Sequence, residues 1–162
     1  MKQNIFYRQT SASDLDLIVK MISDMAHFEK LEREVTLNKE DLKRELFKEK
    51  TAKFIILELE DQTPIGYLCY YFTFSTFKGK KSLYIEDIFI YPEFRGKGYG
   101  KETFVHLVKL AALNGAARVD WVCLDWNENA QRFYESLGAK KHEEWLLYRL
   151  EDKDILALVE RS

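Results

Sequence analysis

Cysteine and proline are nearly absent from this chain of 162 residues, with two of each, and no apolar run approaches the ~20 residues of a membrane-spanning helix. Cys69 and Cys123 form no CxxC pair and each sits in an apolar, strand-like run. They read as two reduced core thiols of an intracellular protein, not as a disulfide framework. His27, His106 and His142 are scattered, so no zinc-site spacing can be assembled and no metal is expected. Pro64 and Pro92 punctuate the chain rather than link parts of it, and no repeat or low-complexity tract divides it. The N-terminus, MKQNIFYRQTSASD, lacks the apolar stretch of a secretory signal. Neither sign of charge dominates: 25 Lys+Arg face 27 Asp+Glu, for a net charge of −2. That balance argues against a nucleic-acid binder that relies on bulk positive charge. Apolar residues make up 46% of the chain and aromatics 14%, too rich for disorder. The expectation is one soluble, cytoplasmic globular domain over residues 1–162, with neither membrane nor nucleic acid as partner.

Residues 5–8 predict a short strand. Ser13, with Asp16 three residues on, offers an N-cap for an amphipathic helix running to about Phe28, with Leu15, Ile18, Val19, Ile22, Met25 and Ala26 at helical spacing. A second helix starts at an Asn38 cap and includes Leu42, Leu46 and Phe47. Residues 53–60 and 65–74 form β-rich runs around Asp61-Gln62-Thr63-Pro64, a hairpin, and 83–91 is a third run ended by Pro92. A glycine-rich turn, a helix over 99–113, a strand over 119–124, an Asn127-capped helix ending at Gly138 and a closing strand over 145–150 complete the order. An antiparallel half followed by a crossover half implies a mixed α/β or α+β sheet with helices on both faces.

The chemistry concentrates where the third run enters the turn Arg95-Gly96-Lys97-Gly98-Tyr99-Gly100-Lys101. Glycines let a backbone approach a ligand and adopt positive φ, and the freed amides of the first helical turn suit phosphate oxygens. Arg95, Lys97 and Lys101 add positive charge there. The P-loop string GxxxxGK[ST] is absent, and so is the dinucleotide fingerprint GxGxxG.

Arg95-x-x-Gly98-x-Gly100 resembles the [RQ]xxGx[GA] signature of the GNAT superfamily of N-acetyltransferases. The run from Asn127 to Ala139 resembles that superfamily's N-x-x-A-x-x-F-Y-x-x-x-G-[FA] helix. Within the superfamily the chain is most similar to the spermidine/spermine (diamine) N-acetyltransferases, through Ala26-His27-Phe28-Glu29, Tyr70-Tyr71-Phe72-Thr73, residues 83–89, Asp125-Trp126-Asn127-Glu128 and Glu144-Trp145. The resemblance implies the GNAT fold, acetyl-CoA as donor, a primary amine as acceptor and a homodimer. It departs from the polyamine pattern at Phe28, where those enzymes have a Tyr, and at Arg33, which adds positive charge beside an acidic run. Both leave room for shorter diamines or lysine-like amino acids such as thialysine.

An amine acceptor arrives protonated, with a pKa near ~10.4 if lysine-like, so a base must take its proton and an acid must protonate the departing thiolate. Glu86 and Asp87 are adjacent in an apolar strand, where neighbours point to opposite faces unless the backbone bulges. The plain alternative is one carboxylate at the sheet's ragged end, with its neighbour in a structural salt bridge. The resemblance implies Glu86 as a water-mediated base and Asp87 as a holder of the cationic acceptor. It implies Tyr134 as the acid, its pKa near ~10 being close to that of a thiol, with Phe133 packed on the cofactor. The plain alternative is a Phe133-Tyr134 core pair. The amides of Phe89 and Ile90 are candidates for pairing with the thioester arm, and Asn127 is an N-cap that in the family pattern also reaches that arm. For the acceptor, Glu29, Glu32, Glu34, Glu143 and Glu144 are the acidic candidates, Glu29 first among them, with Tyr70, Tyr84 and Trp126 as an aromatic wall. Two rivals stand beside the diamine enzyme: an acetyltransferase for amino-acid or protein amines, and a CoA-binding regulatory domain without turnover.

Overall fold

The computed structural model describes residues 2–162. Two compact units follow one another along the chain, the first running to Val122 and the second comprising Cys123–Ser162.

The first unit is a five-stranded sheet with helices on both faces. Its strands are β1 (Phe6–Gln9), β2 (Lys53–Glu58), β3 (Pro64–Ser75), β4 (Lys80–Ile90) and β5 (Val119–Asp120), in spatial order β1-β2-β3-β4-β5. The first four pair antiparallel and β5 joins β4 in parallel, so the sheet is mixed as expected. Helix α1 (Leu15–Glu29) buries Ile18 and Met21 against Phe54, Ile56, Tyr67, Cys69 and Phe89. On the opposite face Tyr7 stacks on His106 of α3 (Tyr99–Leu113) at 3.7 Å between centroids, and Phe104 meets Trp121 edge-on. Alternation along each strand sorts these side chains to the two faces. At Gly66 the β4 backbone leaves no room for a side chain: a Cβ there would stand 2.0 Å from the Phe89 carbonyl oxygen.

Several expected boundaries move. A 3-10 turn over Ala12–Asp14 precedes α1; its N-cap is Ser11, closed into a capping box by Asp14, whose side chain accepts from the Ser11 amide at 2.8 Å. Ser13, the expected cap, sits inside that turn, and Arg8 holds Asp14 in place at 3.0 Å. Asn38 does cap, accepting from the amides of Glu40 and Asp41, but α2 (Lys39–Lys43) is short and widens into a π turn over Arg44–Lys48. The strand expected over 119–124 stops at Asp120. Its partner residues on β4 end at Tyr84, two positions before a bulge that interrupts the ladder.

The second unit contains α4 (Glu128–Ser136) and α5 (Asp152–Glu160). Residues 145–150, expected as a closing strand, hold no regular structure, and α5 was not anticipated. The alternation there is strand-like, but a strand exists only with a ladder partner. Cys69 is buried as expected, whereas Cys123 is exposed on its unit and is not a core thiol. Among the described residues no helix is long and apolar enough to cross a membrane.

Candidate active site

The β3–β4 ladder resolves the problem of two adjacent carboxylates. Cys69 pairs with Asp87 and Tyr70 with Ile85, leaving Glu86 as an extra residue opposite no partner. Such a bulge breaks alternation. Tyr84 and Asp87 pair with Tyr71 and Cys69, which lie on the α1 face, and Glu86 faces the Tyr71 hydroxyl on that same side. Both carboxylates are thereby presented to one face of the sheet.

Their surroundings shift the ionisation of the groups around them. The Tyr67 hydroxyl, fully buried, donates to Asp87 Oδ2 at 3.3 Å. Burial, then the charge of Glu86, lifts Asp87 to about 7, with Glu29 adding to the rise and the Tyr67 hydrogen bond opposing it. Burial and the nearby Glu86 likewise push Tyr71 up to about 12, and Tyr71 stacks on Tyr84 at 5.1 Å. Glu29, the last residue of α1, is raised by burial. Glu29, Glu86 and Asp87 therefore form one electrostatic cluster at the C-terminal end of α1. Glu32 is instead engaged by His27 at 2.6 Å, in the short turn Glu32–Glu34 beyond that helix.

Beyond Ile90 the chain makes a 3-10 turn, Pro92–Phe94, and enters the glycines. Gly96 and Gly98 have φ of +74° and +83°, a region closed to most side chains, and Gly98 is the N-cap of α3. A Cβ at Gly96 or Gly100 would meet nothing within 4 Å. The backbone there is open, and the helical ladder begins only with the Glu102 amide donating to the Gly98 carbonyl. The amides of Tyr99, Gly100 and Lys101 precede it and face outward from the helix start. Tyr99 contributes backbone alone, because its side chain is buried and its hydroxyl accepts from the Gln3 amide at 3.3 Å. Lys97 and Lys101 lie on either side of this helix start. Lys2, which sequence reasoning missed, joins them through an ion pair with Glu102 at 2.6 Å. Only the fold brings residues 2 and 98 together, so no local signal could have shown it.

Arg95 is placed differently from a free phosphate ligand. Its Nε donates to the Ile90 carbonyl at 2.7 Å, and its guanidinium lies over the Phe28 ring at 3.8 Å and near Phe89 at 5.7 Å. Ile90 thus turns its polar groups away from β3, while the Phe89 carbonyl points at β3 beside Gly66. Of the two amides expected to face a ligand, Ile90's is the one on the open edge, since polar groups alternate along a strand.

Tyr70 pairs with Ile85, on the face opposite Asp87, and Glu34 ends the short turn beyond α1; Asn127, Phe133, Tyr134, Trp126, Glu143 and Glu144 lie on the second unit. Asn127 caps α4, its side chain accepting from the Ala130 amide at 3.2 Å. Gln131 ties the start of that helix to the carbonyls of Leu124 and Asp125. Phe133 and Tyr134 pack at 5.3 Å between ring centroids. Trp126 is exposed on this unit, and Glu144 pairs with His142 at 3.1 Å.

Comparison with known proteins bears on this arrangement. The profile of the Acetyltransferase (GNAT) family matches residues 19–139, which run across both units. A thialysine N-epsilon-acetyltransferase of Bos taurus is 32% identical over 158 residues, covering 91% of this chain and 92% of the relative. An L-ornithine N5-acetyltransferase of Arabidopsis thaliana is 40% identical over 98 residues, 60% of this chain and 43% of its own length. Among solved structures, an integron cassette protein of V. cholerae superposes with a TM-score of 0.78 at 25% identity, covering 98% of this chain and 99% of that one. With its five-stranded mixed sheet, the chain belongs to the GNAT family and is an N-acetyltransferase of that family.

Proposed function

We propose that this chain is an acetyl-CoA-dependent N-acetyltransferase acting on the terminal amine of a small cationic acceptor, a basic amino acid of the thialysine or ornithine type. The observation behind it is the bulge that presents Glu86 and Asp87 to one face, beside Glu29. The GNAT family takes its acetyl group from acetyl-CoA. The open glycine backbone, Lys97, Lys101 and the free helix start suit its pyrophosphate, and the Ile90 edge amide suits its pantetheine arm. The cosubstrate supplies an activated thioester; the chain's residues supply the proton handling. Glu86, exposed to water on the sheet face, takes the amine proton through a water molecule, and Asp87 with Glu29 holds the cation. From the resemblance we assign to the Tyr134 hydroxyl the return of a proton to the leaving sulfur, and to Trp126 and Glu144 a part in acceptor binding. Asn127 and Phe133 support the donor arm.

A diamine or polyamine acceptor is the other reading, favoured by three carboxylates in one cluster. The curated relatives above act on the side-chain amine of an amino acid by name, which supports the amino-acid reading. Thiol release from acetyl-CoA, assayed over thialysine, ornithine, lysine, putrescine, spermidine and lysine peptides, tests it. Turnover highest with thialysine or ornithine is expected; a polyamine or peptide best by tenfold would replace the acceptor, and silence with all would remove the activity. We extend the reading to one domain acting as a cytoplasmic homodimer, which the resemblance supports. Light scattering should return twice the chain's 19.2 kDa.

A further inference from the structure

The acidic cluster explains how an amine is held, but a basic amino acid brings a carboxylate as well. A buried or half-buried carboxylate requires a cation, and an arginine fork fits it in two parallel hydrogen bonds. Arg95 is a cation that the fold brings onto the last turn of α1, over the ring of Phe28 at 3.8 Å. Its Nε is used by the Ile90 carbonyl, and one face of its guanidinium rests on Phe28, the residue before Glu29. Among the described residues no acceptor takes a proton from its Nη atoms. Stacking leaves the in-plane Nη–H groups available while fixing the plane, the condition for reading a planar anion. Phe89, the second ring near Arg95, is on the α1 face two strand positions beyond Asp87. Two positions are roughly 6–7 Å, the reach of a lysine-length side chain.

We propose that Arg95 receives the α-carboxylate of an amino-acid acceptor and thereby selects basic amino acids over diamines of the same length. The inference rests on the acceptor reading of the preceding subsection. The zwitterionic head lies between Arg95 and Glu29, and the terminal amine reaches Glu86 and Asp87. Phe28 is the positioning residue, since its ring sets the plane of the guanidinium. The phosphate side of the turn is then served by Lys97, Lys101 and Lys2, with Arg95 facing the acceptor.

The test compares thialysine with its decarboxylated analogue, 2-(2-aminoethylsulfanyl)ethanamine, at saturating acetyl-CoA. The ratio of their kcat/KM values is read within each protein, so losses of folding or donor affinity common to both cancel. Wild type should favour thialysine by about 10–150-fold, the effect of one charge-assisted contact. Arg95→Lys should narrow the ratio to a few-fold and Arg95→Gln should erase it. Phe28→Leu, which leaves the guanidinium but removes its support, should narrow it too and serves if the Arg95 variants do not fold. A wild-type ratio near one overturns the inference while leaving amine acetylation intact. An unchanged ratio in the variants, with weaker acetyl-CoA binding by calorimetry, also overturns it and gives Arg95 to the donor. If wild type turns over neither compound, the acceptor reading falls and this inference with it.

Discussion

Asp87 is a carboxyl group whose protonation is decided by its neighbours. In the unfolded chain it titrates near ~3.9, and in the fold near 7. The native state therefore binds its proton more tightly, and this stabilisation is complete below about pH 4 and is lost as the pH rises through 7. Asp87→Asn keeps an acceptor for the Tyr67 hydroxyl but cannot ionise. Urea unfolding should show wild type losing on the order of a few kcal/mol between pH 4 and 8 relative to the variant. Parallel pH profiles for the two proteins would contradict the burial argument. Tyr134→Phe tests the acid: kcat should fall roughly 10²–10⁴-fold with acetyl-CoA affinity unchanged. Turnover within a factor of a few would show that another group protonates the thiolate. Adjacency of Glu86 and Asp87 was plain in the sequence, and their value lay in being charged within an apolar run. Which faces they take was not, because a bulge is a property of pairing with β3 and leaves no mark in β4 alone. Phe28 under Arg95, 67 positions apart in sequence, was hidden for the same reason.

Among the elements, those with strong local signals stand where their patterns predicted. α3 begins at Tyr99 and ends at Leu113, set by the αL glycine before it and Asn114-Gly115 after it. The β2–β3 hairpin likewise follows from alternation and from Pro64. Local signals failed where two caps competed, as at Ser11 and Ser13, and where a strand pattern lacked a partner, as at 145–150. The widened π turn at Arg44–Lys48 has no counterpart in the helical spacing of Leu42, Leu46 and Phe47. One element-level demand was invisible: the near contact of β3 and β4 at Gly66. Gly66→Ala must move a backbone carbonyl, not a flexible tip, so stability should fall by about 1–3 kcal/mol or more. A thermal melt unchanged from wild type would show that the strands separate there at little cost.

Across the whole molecule, a net charge of −2 conceals two opposed local fields. Lys2, Lys97 and Lys101 surround the start of α3, while Glu29, Glu86 and Asp87 gather at the end of α1. An anionic donor and a cationic acceptor are each drawn to the opposite sign, and salt screens both. The KM values for acetyl-CoA and for the acceptor should therefore rise together with ionic strength, while a neutral monoamine's should not. A KM for acetyl-CoA indifferent to salt would contradict the basic turn. The bulge has a consequence for the length of the chain itself. Ile85 and Asp87 keep their partners Tyr70 and Cys69 whether or not a residue stands between them. Removing Glu86 outright would leave an uninterrupted ladder in which each following side chain keeps its face. Loss of a single codon, ordinarily ruinous inside a strand, should here yield a protein that melts cooperatively and binds acetyl-CoA yet turns over no amine. The gene is one triplet longer than the sheet requires, and that triplet encodes the carboxylate to which we assign the amine's proton.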